Sequence, residues 1–281
     1  MKKYVLLAIT VLTVLATLNG CALKAEDKDK LKDEREAFAA GETEKSGVDG
    51  ENENTSYVGL PHKFTVETDS GKLVASDGTL LATYSYSYPV FECNEGDDEK
   101  VIAAINKMFE DNASELVDEA INNEESLAEL YEFSVENDFW FLPYDYKYNY
   151  EIHTDAKGII SFTEAVYRFW GGAHGGTVKT SYNFDVVNGR KLSLSDLLYG
   201  TEEEITRAFT QAFMEVKEEF FGDPSEIVPK EFLTAQYYVD AEGVTAYFQQ
   251  YQVGSYAAGF VSATISDKEM LKIDFSDVNE N

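Results

Sequence analysis

From residue 144 to residue 152 a side chain able to pack stands at every second position: Tyr144, Tyr146, Tyr148, Tyr150 and Ile152, separated by Asp145, Lys147, Asn149 and Glu151. Successive residues of a β-strand point to opposite faces, so this alternation places all five on one side of a strand. The stripe fits one face of a sheet packed on a core, or a platform on which sugar rings could stack. Asp155-Ala156-Lys157-Gly158 has turn composition, and Ile159 to Phe169 and Thr177 to Val187 read as two further strands flanking a glycine-rich loop. Earlier, Lys63 to Phe91 carries strand-like runs around Asp77-Gly78, with Tyr84, Tyr86 and Tyr88 alternating ahead of Pro89. Later, Asn188-Gly189 makes a tight turn, and three short strands fall near 235–239, 244–251 and 260–265, the first two joined at Glu242-Gly243.

Two segments break this pattern with helical spacing. Val101, Ile105, Met108, Phe109, Leu116, Val117, Ala120 and Ile121 predict an amphipathic helix, interrupted near Asn112 to Ser114; Ile205, Ala208, Phe209, Ala212, Phe213, Val216 and Phe220 predict a second, ended by Gly222 and Pro224. Asp97 and Asp98 read as caps of the first. The expected fold class is α+β, with mainly antiparallel sheets packed against two long amphipathic helices in two intimately associated halves.

The amino terminus sets the compartment. Lys2 and Lys3 precede an uncharged apolar run from Tyr4 to Leu18, the length of an export-signal core rather than of a bilayer span. The run ends in Leu18-Asn19-Gly20-Cys21, which resembles the lipobox of bacterial lipoproteins. That resemblance implies residues 1–20 as a signal peptide and Cys21 as a lipidated first residue, holding the protein on the extracytoplasmic face of a bacterial membrane; more than one acyl chain gives lasting attachment. Residues 21–59 are charged and almost free of large apolar side chains, the composition of a flexible tether. The folded part is expected as an N-terminal half, 60–157, and a C-terminal half, 158–276. With Cys21 committed to lipid, Cys93 is the one remaining thiol, so no internal disulfide is expected, and Cys93 reads as a buried or semi-buried hydrophobe.

Against 23 Lys and Arg stand 52 Asp and Glu, a formal net charge of −29. Such a surface repels nucleic acid and anionic lipid, and steers basic proteins or peptides towards it. No nucleic-acid motif or basic block offsets the repulsion, so no nucleic acid is expected as a partner. The three histidines, His62, His153 and His174, are scattered with no metal-ligand spacing, and no nucleophile elbow occurs; no metal, cofactor or catalytic residue is assigned. A glycan hydrolase needs only two carboxylates at a defined separation, which stays open as an alternative, with Glu164 as candidate acid.

The residues with most functional content are Tyr167-Arg-Phe-Trp-Gly-Gly-Ala-His-Gly-Gly176, where four glycines surround one Trp and one His. Glycine suits a tight hairpin and also lets a ligand come close. In order along the chain stand Trp170-Gly171-Gly172-Ala173-His174-Gly175, then Phe184 to Leu198 with Asn188-Gly189, then Tyr251 to Gly259 ending Tyr-Ala-Ala-Gly. Together they resemble the extracellular C-terminal domain of the lysozyme-sensing anti-sigma factors of RsiV type, also found as an accessory domain in peptidoglycan deacetylase C; Tyr88-Pro89 ahead of a helix resembles the companion half that precedes it. Trp170 stands where the family more often has Ser or Thr, and Ser255 where Pro is common. The resemblance implies an α+β sensing or binding module whose partner is a lysozyme-like basic protein or a peptidoglycan fragment. It implies a ligand-binding face from Trp170, Gly171, Gly172, His174, Gly175, Tyr251, Ser255 and Tyr256. No second apolar span or sigma-binding segment is read in the chain, so it is not expected to be an anti-sigma factor itself. Trp170 and Tyr256 would give rigid contact area, and His174 a hydrogen bond or a pH-sensitive charge.

Overall fold

The structure is a computed structural model that describes residues 62–273. The expected signal peptide, Cys21 and the tether lie outside the described residues.

Strands β1 (Phe64–Val74) and β2 (Leu80–Phe91) form an antiparallel hairpin. Two helices follow, α1 (Glu99–Asn122) and α2 (Glu124–Glu136), and then β3 (Tyr144–Ala156), β4 (Ile159–Phe169), β5 (Gly176–Asp185) and the short β6 (Arg190–Lys191). These six strands make one sheet in the order β1-β2-β3-β4-β5-β6. The sheet is mixed: β2 and β3 run parallel, because the chain between them crosses over through α1 and α2 instead of turning back in a hairpin. The expected division at 157/158 falls in the turn between β3 and β4, which pair along nearly their whole length.

Beyond the sheet come α3 (Leu194–Leu197), α4 (Glu202–Phe213), α5 (Pro224–Glu231) and a three-stranded antiparallel sheet, β7 (Gln236–Asp240), β8 (Gly243–Tyr247) and β9 (Ser262–Ile265).

Of the two long helices that spacing predicts, α1 spans its whole segment and α4 stops short. Asp98 caps α1 by accepting the Lys100 N–H. The break falls at Asn123 rather than near Asn112, since the Asn112 amide is held inside by Glu164 while that of Asn123 turns to the Tyr146 hydroxyl. Thr201 and Glu204 form a capping box on α4. That helix ends at Phe213 and continues only as a 3-10 turn in which Val216 leaves helical dihedrals. There the backbone turns to pair with a later loop, Phe220 bridging Gly254 and the Phe221 N–H reaching the Val253 carbonyl at 2.8 Å. Pro224 starts α5 instead of ending the preceding helix, its fixed φ suiting the first helical position.

Two apolar cores result. In the first, Ile102, Ile105, Phe109 and Leu116 of α1 pack on Tyr146 and Tyr148 of β3 and Ile160 and Phe162 of β4. Tyr146 and Tyr148 are wholly buried. The tyrosine stripe is therefore core, covered by a helix, and not a sugar-stacking platform. The second core gathers Phe209 and Phe213 of α4 with Phe232, Val239, Ala246 and Phe248. Between the sheets polar contacts join apolar ones: the Ser161 hydroxyl donates to the Asn183 side-chain oxygen and accepts the Val239 N–H, and the Asn183 amide donates to the Tyr237 carbonyl, while Ala156 and Ile159 share the second core with Val239. Among the described residues every buried side-chain nitrogen and oxygen has a partner, as burial of polar groups requires.

Candidate functional site

The glycine loop joins β4 to β5, and its shape follows from two glycines. Gly171 adopts φ of +72°, a left-handed conformation open to glycine at little cost. At Gly175 a Cβ would fall 2.4 Å from the Tyr167 ring, so the bare backbone is what lets that ring come so close to the loop.

A second loop comes up from the three-stranded sheet. Its base is closed by the Phe248 N–H on the Val261 carbonyl at 2.9 Å. Glutamines fasten it to the open edge of β5. Gln250 accepts the Thr177 N–H at 2.9 Å, and Gln249 takes both backbone groups of Lys179, accepting its N–H at 3.1 Å and donating to its carbonyl at 2.6 Å. Gln236 of β7 accepts the Ser181 N–H at 3.1 Å. Residues 177, 179 and 181 point their amides outward on the edge that β6 is too short to cover, so side-chain amides complete the ladder.

This clasp brings the two distant segments together. The Tyr251 hydroxyl lies 2.9 Å from His174 Nε2, and the Tyr256 ring stacks on the imidazole with centroids 4.0 Å apart and planes 19° apart. His174 Nδ1 lies 2.9 Å from the Gly175 carbonyl, which only accepts, so Nδ1 carries a proton and points inward while Nε2 is left to the Tyr251 hydroxyl. Tyr251 holds φ of +65°, unfavourable for a bulky side chain, a strain concentrated at the tip of the loop. Ser255 is exposed and extended, and Tyr256 opens a 3-10 turn behind it. Gly254 sets the height of this loop: a Cβ there would meet the Glu219 carbonyl at 2.2 Å.

His174, Tyr251 and Gly172 face solvent, Tyr256 is half-buried and Gly175 is buried. Trp170 is 58% exposed but has different partners, its indole N–H joining the Asn123 amide at the Tyr146 hydroxyl. The loop thus has two ends, an indole beside the α1–α2 junction and an imidazole between two phenols.

Glu164 does not stand on a cleft. It is almost fully buried in β4, accepting from the Tyr148 hydroxyl at 2.5 Å and from the Asn112 amide at 2.8 Å, with Tyr182 as a third donor. Burial raises its pKa, and burial raises that of Tyr182 to about 12. It serves as a structural carboxyl between α1 and the sheet. Cys93 is exposed rather than buried, in the acidic loop before α1.

A further polar group escaped sequence reasoning. His62 Nδ1 meets Asp155 at 2.5 Å and Nε2 meets Asp97 at 2.9 Å, all three side chains being nearly buried. The Asp155 hydrogen bond is the main cause of a raised His62 pKa. Asp98 is thus a cap as expected, whereas Asp97 accepts the Asn94 N–H and holds His62. Among the described residues no group of three or more His, Cys, Asp and Glu could hold a metal ion, and no helix is long and apolar enough to cross a membrane.

Comparison with known proteins divides the chain. Residues 74–177 match the family model described as "Deacetylase PdaC", and residues 195–268 match that of DUF3298, a protein family of unknown function. The chain carries a PdaC-like and a DUF3298-like segment. The first match runs through the glycine loop, and the second contains Tyr251 to Gly259. The peptidoglycan-N-acetylmuramic acid deacetylase PdaC of Bacillus subtilis strain 168 is 24% identical over 218 residues, which are 74% of this chain and 43% of that protein. The chain therefore spans less than half of that relative. A DUF3298 family member from Bacteroides fragilis NCTC 9343 has the same fold, with a TM-score of 0.60 and 16% identity over 80% of this chain and all of that one.

Proposed function

We propose that the chain is an extracellular, cell-wall-associated binding module that recognises a peptidoglycan fragment at the face formed by His174, Tyr251 and Tyr256, with Trp170 extending it. The observation that carries this reading is the meeting of two segments 77 residues apart, His174 and Tyr251, as exposed rings on a backbone made accessible by glycine. Phenol and imidazole rings offer flat apolar surface with hydroxyl and nitrogen at the edge, the chemistry that suits a sugar ring. The similarity to a peptidoglycan deacetylase supports a wall glycan as the ligand class. In this reading lipid on Cys21 holds the module at the membrane, and a Cys21→Ser variant should move from the membrane fraction to the soluble one; retention in the membrane fraction would reject the anchor.

The charge of −29 favours a second reading, in which the same face receives a lysozyme-like basic protein. One capture experiment separates them. The immobilised full-length chain is offered purified muropeptides and, separately, a lysozyme. The glycan reading predicts muropeptide capture that falls about tenfold in Trp170→Ala and changes little with salt; the protein reading predicts lysozyme capture that fades with salt. Capture of either ligand indifferent to substitution in both loops would reject this face. Release of acetate or new reducing ends from peptidoglycan would point instead to an enzyme, since a binder releases neither.

A further inference from the structure

The end of α2 and the segment leading into β3 expose an apolar surface that the fold does not use. Trp140 is 95% exposed, and Phe133, Val135, Phe139 and Leu142 are also exposed. Beside them opens a cavity of about 520 Å³, lined by Leu80, Tyr131, Asp138, Phe139, Trp140 and Phe141. Its walls are built. Tyr131 and Phe141 meet edge to face at 5.5 Å, and the Tyr131 hydroxyl donates to Asp77 at 2.7 Å and accepts from Thr79 at 3.1 Å. Asp138 turns the chain at φ of +57°, and the Phe139 N–H closes that turn on the Ser134 carbonyl at 2.9 Å, delivering Phe139 and Trp140 outward. A contiguous patch of large apolar side chains on a soluble surface marks an interaction site, and an indole that touches so little of its own protein is the residue type that anchors one.

Charge decides the occupant. Between Lys107 and Lys147 the chain contains no Lys or Arg, while Glu129, Glu132, Glu136 and Asp138 are exposed around the patch. An anionic lipid surface or an acidic glycan would be repelled, and a second copy, carrying −29 itself, would be repelled as well. We propose that this surface docks a basic amphipathic peptide segment, one apolar side chain filling the cavity beside Trp140 while Lys or Arg residues on either side meet the α2 carboxylates. Such a segment combines an apolar face for the cavity with cations for the indole and the glutamates. The site is centred on Trp140 rather than on His174, although Leu142 at its edge lies against Gly171 of the glycine loop, and it stands whether or not the His174 face takes a glycan.

The chain has two tryptophans, so Trp170→Phe leaves Trp140 as the sole indole reporter in the full-length protein. Titration with a synthetic Lys/Leu amphipathic peptide should shift its emission to the blue. A labelled copy of that peptide should bind about tenfold more weakly to Trp140→Ala, or to Phe139→Ser as an independent variant, and more weakly as salt rises from about 0.15 M to about 1 M. Unchanged affinity in both variants would overturn the proposal. So would a blue shift produced equally by a Glu/Leu peptide, by muropeptides or by phosphatidylcholine vesicles, or one that tracks protein concentration through dimerisation.

Discussion

Asp155→Ala is expected to cost on the order of 3 kcal/mol of folding stability, since removing one member of a buried ion pair leaves its partner uncompensated. Asp155 is only 1% exposed and accepts from both the backbone N–H and Nδ1 of His62. The residue sits near the end of β3, while His62 lies two residues before β1, so this contact ties the start of the described chain to the middle of the sheet. Asp97 would still hold Nε2, which keeps the loss below that of a fully orphaned charge. Urea unfolding measures it; a loss below about 1 kcal/mol would show that the pair is peripheral to folding.

The same contact fixes the pH dependence. His62 has a folded pKa raised above its ordinary value of 6.5, so its contribution is fully present below pH 6.5 and is lost as pH rises through the folded value. His153 acts in the opposite sense. Packed against Tyr238 with centroids 3.7 Å apart, it is pushed down to about 3, chiefly by burial and then by Lys179. The unfolded chain binds that proton more readily, so stability falls as pH drops from about 6.5 towards 3. His62→Gln should flatten the alkaline limb and His153→Asn the acid one; limbs unchanged by either substitution would contradict the assignment.

Phe109→Ala should be as damaging or worse, about 3–5 kcal/mol by the usual cost of emptying a buried phenylalanine site. The ring is wholly buried under α1, 4.7 Å from Phe162, stacked on Tyr88 at 6.3 Å and edge-on to Tyr150 at 6.0 Å. Three strands meet on it, so little can collapse into the space. A loss under about 2 kcal/mol in urea unfolding would mean that α1 is not the main cover of the sheet.

Much of this architecture was legible as period. The Tyr144 to Ile152 alternation gave β3, and the spacing from Val101 to Ile121 gave α1, because local side-chain direction alone carries those signals. The parallel β2–β3 pair was not legible, as it depends on where two helices deposit the chain. Nor was the end of α4, where pairing of Phe220 and Phe221 with the 253–254 loop outweighs continued helical spacing. The meeting of His174 with Tyr251 and Tyr256 was expected from the order of three motifs, yet what fastens it, Gln249 and Gln250 on the β5 edge, left no periodic trace. Glu164 misled because a lone acidic residue in a strand reads as solvent-facing; its donors Asn112, Tyr148 and Tyr182 come from three separate elements. His62 and its two aspartates are similarly dispersed, at positions 62, 97 and 155.

The most direct test of the central claim, that the glycine loop and the Tyr251–Tyr256 loop act as one recognition face, is a double-substitution cycle on muropeptide affinity. Full-length protein, His174→Ala, Tyr256→Ala and the double variant are titrated under conditions where each remains folded. One shared face predicts that each single change weakens binding about tenfold and that the double change adds little more, because the stacked pair works as a unit. Wild-type affinity in both single variants would contradict the account.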